Sequence, residues 1–269
     1  MPFVKAAEKR LEYFEQGSGD LVVLIHGAGS SALIWDTVQT QMAAAGFRTL
    51  AISLPGAGGS DHPTDPAAYS PDSYAVDIKH SLDALNISQF SIVGHSLGVS
   101  NVLGLVDDYG SGFDVQAMVM VAGGGGGLRQ APSAKEIEEI RSSWPTPDPA
   151  DADKRRATWE KLHMGLTYKI RNALWADIQA NPFERAFGQR ISARKDRTPF
   201  LNSTEIPTLV VSGDNDSVVP LALTLEMYPK LKSSVRHLHV MHGVDHYPNA
   251  ETPNEISRVT INFLLGYAH

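Results

Sequence analysis

The stretch Ile92-Val93-Gly94-His95-Ser96-Leu97-Gly98 decides how the rest of the chain reads. Phe90 to Val93 is a short apolar run of the kind that forms a buried strand, and it stops at Gly94. A helical spacing follows through Val102, Leu103, Leu105 and Val106. Strand, Gly-x-Ser-x-Gly, then helix describes a turn so tight that the serine sits at a strained backbone angle with its hydroxyl exposed. Gly94 and Gly98 lie two residues either side of Ser96, where side chains would collide across the turn. The helix that starts there offers unpaired N–H groups and the positive end of its dipole to a developing anion. A chance match is the competing explanation in a chain with 23 glycines, and the flanking strand and helix argue against it.

Outward from this turn the chain alternates strands and helices. Residues 9 to 15 alternate charged and apolar side chains, as a solvent-edged strand does. Leu21-Val22-Val23-Leu24-Ile25 is a continuous apolar run, expected to be a strand covered on both faces, and it ends at His26-Gly27-Ala28-Gly29. A helix carrying Trp35, Val38 and Met42 follows, then a strand at Thr49 to Ile52 that ends in Leu54-Pro55-Gly56-Ala57-Gly58-Gly59-Ser60. Ser70-Pro71-Asp72 caps a helix with Tyr74, Ile78, Leu82 and Leu85. Further strands are expected at 115 to 121, 207 to 212 and 235 to 241, and a closing helix holds Ile256, Val259 and Phe263. This rhythm predicts an α/β fold, a mostly parallel sheet with helices on both faces.

The rhythm breaks after Ala122. Gly123 to Gly127 lead into roughly eighty residues with helical spacing and no convincing strand. Residues 128–205 are expected to form a helical cap inserted after the sixth strand, over a core of residues 1–127 and 206–269. The cap segment holds 14 basic and 11 acidic residues, against 9 and 19 in the remainder. Its aromatics, Trp144, Trp159, Trp175, Tyr168, Phe183 and Phe187, are expected mostly to pack its own small core. The glycine run is either a hinge or a place where backbone approaches a ligand closely.

Composition bounds the function. The 269 residues are 42% hydrophobic and 20% charged with a formal net charge of −7, which points to a small-molecule substrate and away from nucleic acid or an anionic membrane. No cysteine occurs, so disulfides, thiol catalysis and thiolate metal sites are out, and a cytoplasmic location fits. No signal peptide is read at the N-terminus, and no run approaches the roughly 18 apolar residues of a membrane span. Oligomeric state is not read.

A serine hydroxyl needs a base to become a useful nucleophile, and an imidazole needs an anion on its far nitrogen to fix its tautomer. In a parallel sheet such groups meet only beyond the C-terminal ends of strands. Ser96, Asp216 and His246 each follow a strand, in the chain order serine, acid, histidine.

In these motifs, together with Gly213-Asp214-Asn215-Asp216 and Pro220, the chain resembles the α/β-hydrolase superfamily. The resemblance implies an eight-stranded sheet, a helical cap and a catalytic triad of Ser96, Asp216 and His246. It also implies an oxyanion hole from the backbone N–H groups of Ala28 and Leu97, with no cofactor and no metal. The family spacing of Gly, two residues, Asp, three residues, Pro favours Asp216 over its competitor Asp214. Ser53 and Ala57 stand where the family often has Asp and His, at positions that are usually structural. Asp245 replaces the common Gly before the histidine and is expected to face water.

The implied activity is that of a serine esterase on small to medium apolar or aromatic acyl groups. A lactone or carbon–carbon bond hydrolase would use the same triad, and a hydrolase-fold ligand receptor with slow turnover belongs to another class altogether. An epoxide hydrolase or haloalkane dehalogenase would carry Asp at position 96. His237 and His239 share a strand face and could pair on zinc, but the tail matches no established zinc spacing. His95 reads as a packing neighbour of the serine, and His26 as a structural hydrogen bonder behind the oxyanion loop.

Overall fold

The computed structural model describes residues 2–124, 126–127, 129–144 and 149–267. Gly125 of the glycine run and Leu128, the first residue of the expected cap, lie outside these. Among the described residues one sheet forms, with strands β1 (Phe3–Ala6), β2 (Lys9–Gly17), β3 (Leu21–Ile25), β4 (Arg48–Ile52), β5 (Gln89–His95), β6 (Asp114–Val121), β7 (Thr208–Gly213) and β8 (Arg236–Met241). Their order is β1-β2-β4-β3-β5-β6-β7-β8. The pairs β1–β2 and β2–β4 are antiparallel, and the remaining pairs are parallel. This is the α/β-hydrolase fold expected from the motifs. β1 escapes the residue pattern because its four residues sit at the sheet edge with only Val4 and Ala6 buried.

Burial explains the central strands. All five residues of β3 are buried, so no polar alternation is needed. Successive side chains still point to opposite faces. Val23 and Ile25 enter a core with Tyr74, Ile78 and Leu82 of α2 (Pro71–Ala84) and Val99, Val102 and Val106 of α3 (Leu97–Tyr109). Val22 and Leu24 enter a second core with Val38 and Met42 of α1 (Asp36–Ala44) and Ile256, Phe263 and Leu264 of the C-terminal helix (Pro253–Tyr267). Each such side chain contributes about 1.5–3 kcal/mol of burial, so the sheet is held from both faces. Ser70 caps α2 as expected, its Oγ accepting the Ser73 N–H at 3.1 Å.

Between β6 and β7 lie α4 (Ala134–Ser142), α5 (Ala152–Lys161), α6 (Tyr168–Gln179), α7 (Phe183–Ile191) and the short α8 (Thr198–Leu201). Arg129 and Arg194 form an isolated antiparallel bridge at the two ends of this segment. α4 and α5 have no fully buried described side chain and α6 has only Leu174, so hydrophobic burial alone holds these helices weakly. Polar contacts do much of the anchoring. Arg197, itself buried, bonds Asp107 and Asp108 of α3 at 2.7 and 2.8 Å and Asp72 of α2 at 3.0 Å. Gly123 is a close approach to protein: a Cβ there would lie 2.3 Å from Cγ2 of Val99 in α3. The short α9 (Leu221–Met227) and α10 (Pro248–Glu251) complete the α-helices among the described residues.

Arg197→Met is expected to destabilise the fold by about 1–3 kcal/mol, because it leaves Asp72 and Asp107 without a cation partner and Asp108 with only Lys195. Urea unfolding would read the loss, and an unchanged midpoint would show that the network adds nothing.

Candidate active site

The strand-to-helix turn sets the site. Ser96 has φ 53° and ψ −119°, a region that side-chain-bearing residues avoid. The turn is held by the Ser96 N–H donating to the Val121 carbonyl at 2.8 Å and the Val99 N–H donating to the Ser96 carbonyl at 3.0 Å. A Cβ on Gly94 would lie 2.7 Å from the Gly98 carbonyl, and one on Gly98 would lie 2.5 Å from the Ile25 oxygen. Any side chain at either position would force the turn open.

The ends of β5, β7 and β8 bring three distant residues together. Nε2 of His246 stands 2.9 Å from Ser96 Oγ. Its Nδ1 stands 3.0 Å from both Oδ1 and Oδ2 of Asp216. Both partners are buried, His246 with 3% and Asp216 with 6% of its surface exposed. Oδ1 of Asp216 also accepts the N–H groups of Val218 at 2.9 Å and Val219 at 2.7 Å. Burial is the largest influence on this carboxyl and pushes its pKa up; the bonds from His246, Val219 and Val218 outweigh it and hold the group below its usual range. Asp216 is therefore an anion beside the imidazole at neutral pH.

The competing residues are occupied elsewhere. Asp214 accepts from Nδ1 of the exposed His242 at 2.7 Å and from the Gly243 N–H at 2.7 Å. Asp245 is half-buried rather than turned to water, taking the N–H and hydroxyl of Ser217 at 2.8 Å each. His239 meets Glu255 at 3.1 Å, while His237 lies 3.5 Å from the Tyr267 hydroxyl. No group of three or more His, Asp or Glu side chains is placed to hold a metal ion among the described residues.

Two further histidines back the site. His26 donates through Nδ1 to the Gly27 carbonyl at 2.8 Å and accepts the Leu54 N–H on Nε2 at 3.0 Å, a pattern that requires the neutral ring. His95 donates through Nε2 to the His246 carbonyl at 2.8 Å, holding the backbone of the residue that faces Ser96. Burial, reinforced by the Arg185 charge at His26 and by His246 at His95, depresses both pKa values to about 3. His163, stacked on Trp159 at 4.0 Å between ring centroids, is lowered by burial to about 4.

Ser96 opens on a cavity of about 610 Å³. Ala28 and Leu97 share its lining, and neither backbone N–H donates to another group among the described residues. Val218, Val219, Leu223 and Trp144 supply apolar wall. Trp144 also packs edge-on against Phe183 and Phe187, whereas Tyr168 is exposed and lies apart from the cavity.

Residue patterns did not single out the clamp on the loop after β3. Arg185, 1% exposed, donates to the Ser30 carbonyl at 2.8 Å and to the Gly56 carbonyl at 3.2 Å. Ser31 donates to Asp177 at 2.6 Å. Ser53, where the family often has Asp, is buried and bridges the Ala32 N–H and Glu12.

A mostly parallel sheet whose strand ends gather a strained serine, a histidine and an aspartate defines a class of α/β enzyme scaffold. The model of the alpha/beta hydrolase family matches residues 22–259, and the chain belongs to that family. It is similar to the 2-hydroxy-6-oxo-6-phenylhexa-2,4-dienoate hydrolase of Comamonas testosteroni, at 27% identity over 278 residues covering 97% of this chain and 95% of that one. A 2-hydroxy-6-oxononadienedioate/2-hydroxy-6-oxononatrienedioate hydrolase of Pseudomonas sp. is 27% identical over 261 residues, 93% of this chain and 90% of that one. Among solved structures, an esterase from Rhodococcus sp. ECU1013 superposes with a TM-score of 0.77 at 22% identity, covering 98% of each chain. A bromoperoxidase from Bacillus anthracis does so at 0.77 and 21%, covering 98% of this chain and 99% of that one. These structural likenesses speak to fold. No described helix is long and apolar enough to cross a membrane.

Stability is expected to fall on acidification. The unfolded chain binds protons on His26, His95 and His163 near pH 6.5, while the folded values are about 3, 3 and 4. Their stabilising contribution is therefore complete above pH 6.5 and is lost as pH falls toward 4, at up to about 1.4 kcal/mol per pH unit for each ring. Burial raises Asp77, Asp177 and Glu251, which act with the opposite sign. His163→Phe keeps the stack and should flatten the slope by about one proton. Urea melts from pH 7 to 5 would read both, and stability independent of pH in that window would contradict the account.

Proposed function

We propose that this chain hydrolyses carboxylic esters of small to medium apolar or aromatic acyl groups through an acyl-enzyme. The single observation that carries the reading is the hydrogen-bonded line from Ser96 Oγ through His246 to Asp216, opening on a cavity beside two backbone N–H groups. Ser96 attacks the ester carbonyl while His246 Nε2 takes the hydroxyl proton. Asp216 keeps the imidazole in the tautomer whose Nε2 is free to accept, and stabilises the imidazolium that forms. The N–H groups of Ala28 and Leu97 hold the tetrahedral oxyanion, each contributing roughly 3 kcal/mol. The proton then passes to the leaving alkoxide, and water, activated by the same imidazole, releases the acid and restores Ser96. Residues 128–205 serve as the cap that closes the cavity, contributing Trp144, Asn181 and Gln189 to its wall.

A second reading, carbon–carbon bond hydrolysis, has its own support. The relatives from Comamonas testosteroni and Pseudomonas sp. carry the names of dienoate and dienedioate hydrolases and are similar over nearly the whole chain. Turnover of 2-hydroxy-6-oxo-6-phenylhexa-2,4-dienoate well above that of matched p-nitrophenyl esters would favour it over ester cleavage.

Ser96→Ala is expected to lower kcat at least about a thousandfold with the fold intact by circular dichroism, and near-normal turnover would end the serine mechanism. Asp216→Asn should be far more damaging than Asp214→Asn, since Asp214 serves His242 and Gly243 instead. Equal losses in ester kinetics would overturn the choice of acid.

A further inference from the structure

Three arginines line the cavity that holds Ser96: Arg129, Arg190 and Arg194. None of them lies within salt-bridge distance of a carboxylate among the described residues. Several other cations of the same segment have carboxylate partners: Arg197 with three aspartates, Arg156 with Glu160, Arg141 with Glu138. Two of the three are held in fixed relation. The Arg129 N–H donates to the Arg194 carbonyl at 3.0 Å and the Arg194 N–H returns a bond to Arg129 at 2.8 Å. The Arg129 guanidinium in turn donates to the Arg190 carbonyl. Nε of Arg194 is buried without a hydrogen-bond partner among the described residues. Burial, and next the charge of Arg129, pulls the Arg194 pKa below its usual value, which is what an uncompensated pair of cations does.

Unmatched positive charge at a cavity wall is costly unless something anionic enters. We infer that Arg129, Arg190 and Arg194 form an anion subsite of this cavity, and that the substrate is an ester bearing a carboxylate away from the bond that breaks. The inference rests on the hydrolase reading above and narrows its substrate class. A planar guanidinium offers two parallel N–H donors to a carboxylate, which fixes the angle of approach as well as the charge. The remaining cavity wall, with Trp144, Val219 and Leu223, suits an apolar body between the carboxylate and Ser96. The long-range charge agrees in sign: residues 128–205 carry 14 basic against 11 acidic side chains, and the remainder 9 against 19. An anionic substrate is thus drawn to the insertion side of the site and repelled elsewhere.

Two measurements test this. Calorimetry on the whole protein compares adipate with neutral adipamide. Adipate should bind, adipamide should not, and Arg194→Gln or the more exposed Arg190→Gln should weaken adipate at least about tenfold, one charge-assisted contact. Equal binding of the two probes, or no binding of either, overturns the subsite. Kinetics then compare two matched pairs: mono-p-nitrophenyl adipate with p-nitrophenyl hexanoate, and 4-butyryloxybenzoate with 4-butyryloxybenzamide. The charged-to-neutral ratio of kcat/KM should exceed one in one pair, which tells whether the carboxylate sits on the acyl or the alcohol side, and both variants should lower that ratio about tenfold. Turnover with ratios at or below one in both pairs, unmoved by the variants, overturns the inference while leaving the hydrolase reading in place. Failure of the hydrolase reading looks different: no ester is cleaved and a fluorophosphonate does not label Ser96, whatever the adipate result.

Discussion

The strained backbone at Ser96 is the constraint on which the site depends. A φ of 53° with ψ of −119° costs about 1–3 kcal/mol and persists only when the surroundings leave no alternative. Here they do not. Gly94 and Gly98 face each other without room for a Cβ, the Ser96 N–H is tied to Val121 of β6, and α3 packs its apolar side against β3 and β5. The cost is covered by a sheet whose central strands are buried on both faces. What results is a hydroxyl raised off the sheet edge at the mouth of a helix N-terminus, with its own N–H and those of its neighbours already oriented.

The histidines near that turn differ in environment more than in position. His26 and His95 lie in contact with the loop and strand that frame Ser96, yet burial keeps both neutral. A neutral His95 can donate to the His246 carbonyl without placing a positive charge beside the imidazole that faces Ser96. Asp216 takes the opposite course: its hydrogen bonds keep it anionic despite burial. One acid and several imidazoles thus hold distinct protonation states within a few ångströms because each has a different set of partners.

The helical segment between β6 and β7 is held to the core by charge and hydrogen bonds as well as by the buried side chains of Leu166, Leu174 and Leu201. Arg185 and Asp177 grip the Ser30–Ser31 loop, and Arg197 binds α2 and α3. Arg185 in particular ties the loop that bears Ala28 to α7, so the shape of the cavity and the orientation of that loop are mechanically coupled. A change in the segment would therefore be felt in the loop beside Ser96 and not only in the far wall of the cavity.

Much of the architecture was legible in the residues alone. A five-residue apolar run such as Leu21–Ile25 fits a strand buried on both faces, and Ser96, Asp216 and His246 each follow a strand, so a parallel sheet gathers them at one edge. The edge strand Phe3–Ala6 was invisible because four residues, two exposed and two buried, are too few to establish a period. In sequence only the family spacing separates Asp216 from Asp214; in space the segment after β8 brings His246 to one and His242 to the other. The clamp from Arg185 to Ser30 spans 155 positions and the bridge from Arg129 to Arg194 closes the ends of the whole insertion. Local pattern encodes which face of an element is apolar. Which charged side chains find partners, and which are left facing a cavity, depends on contacts between segments far apart in the chain, and only tertiary structure decides those.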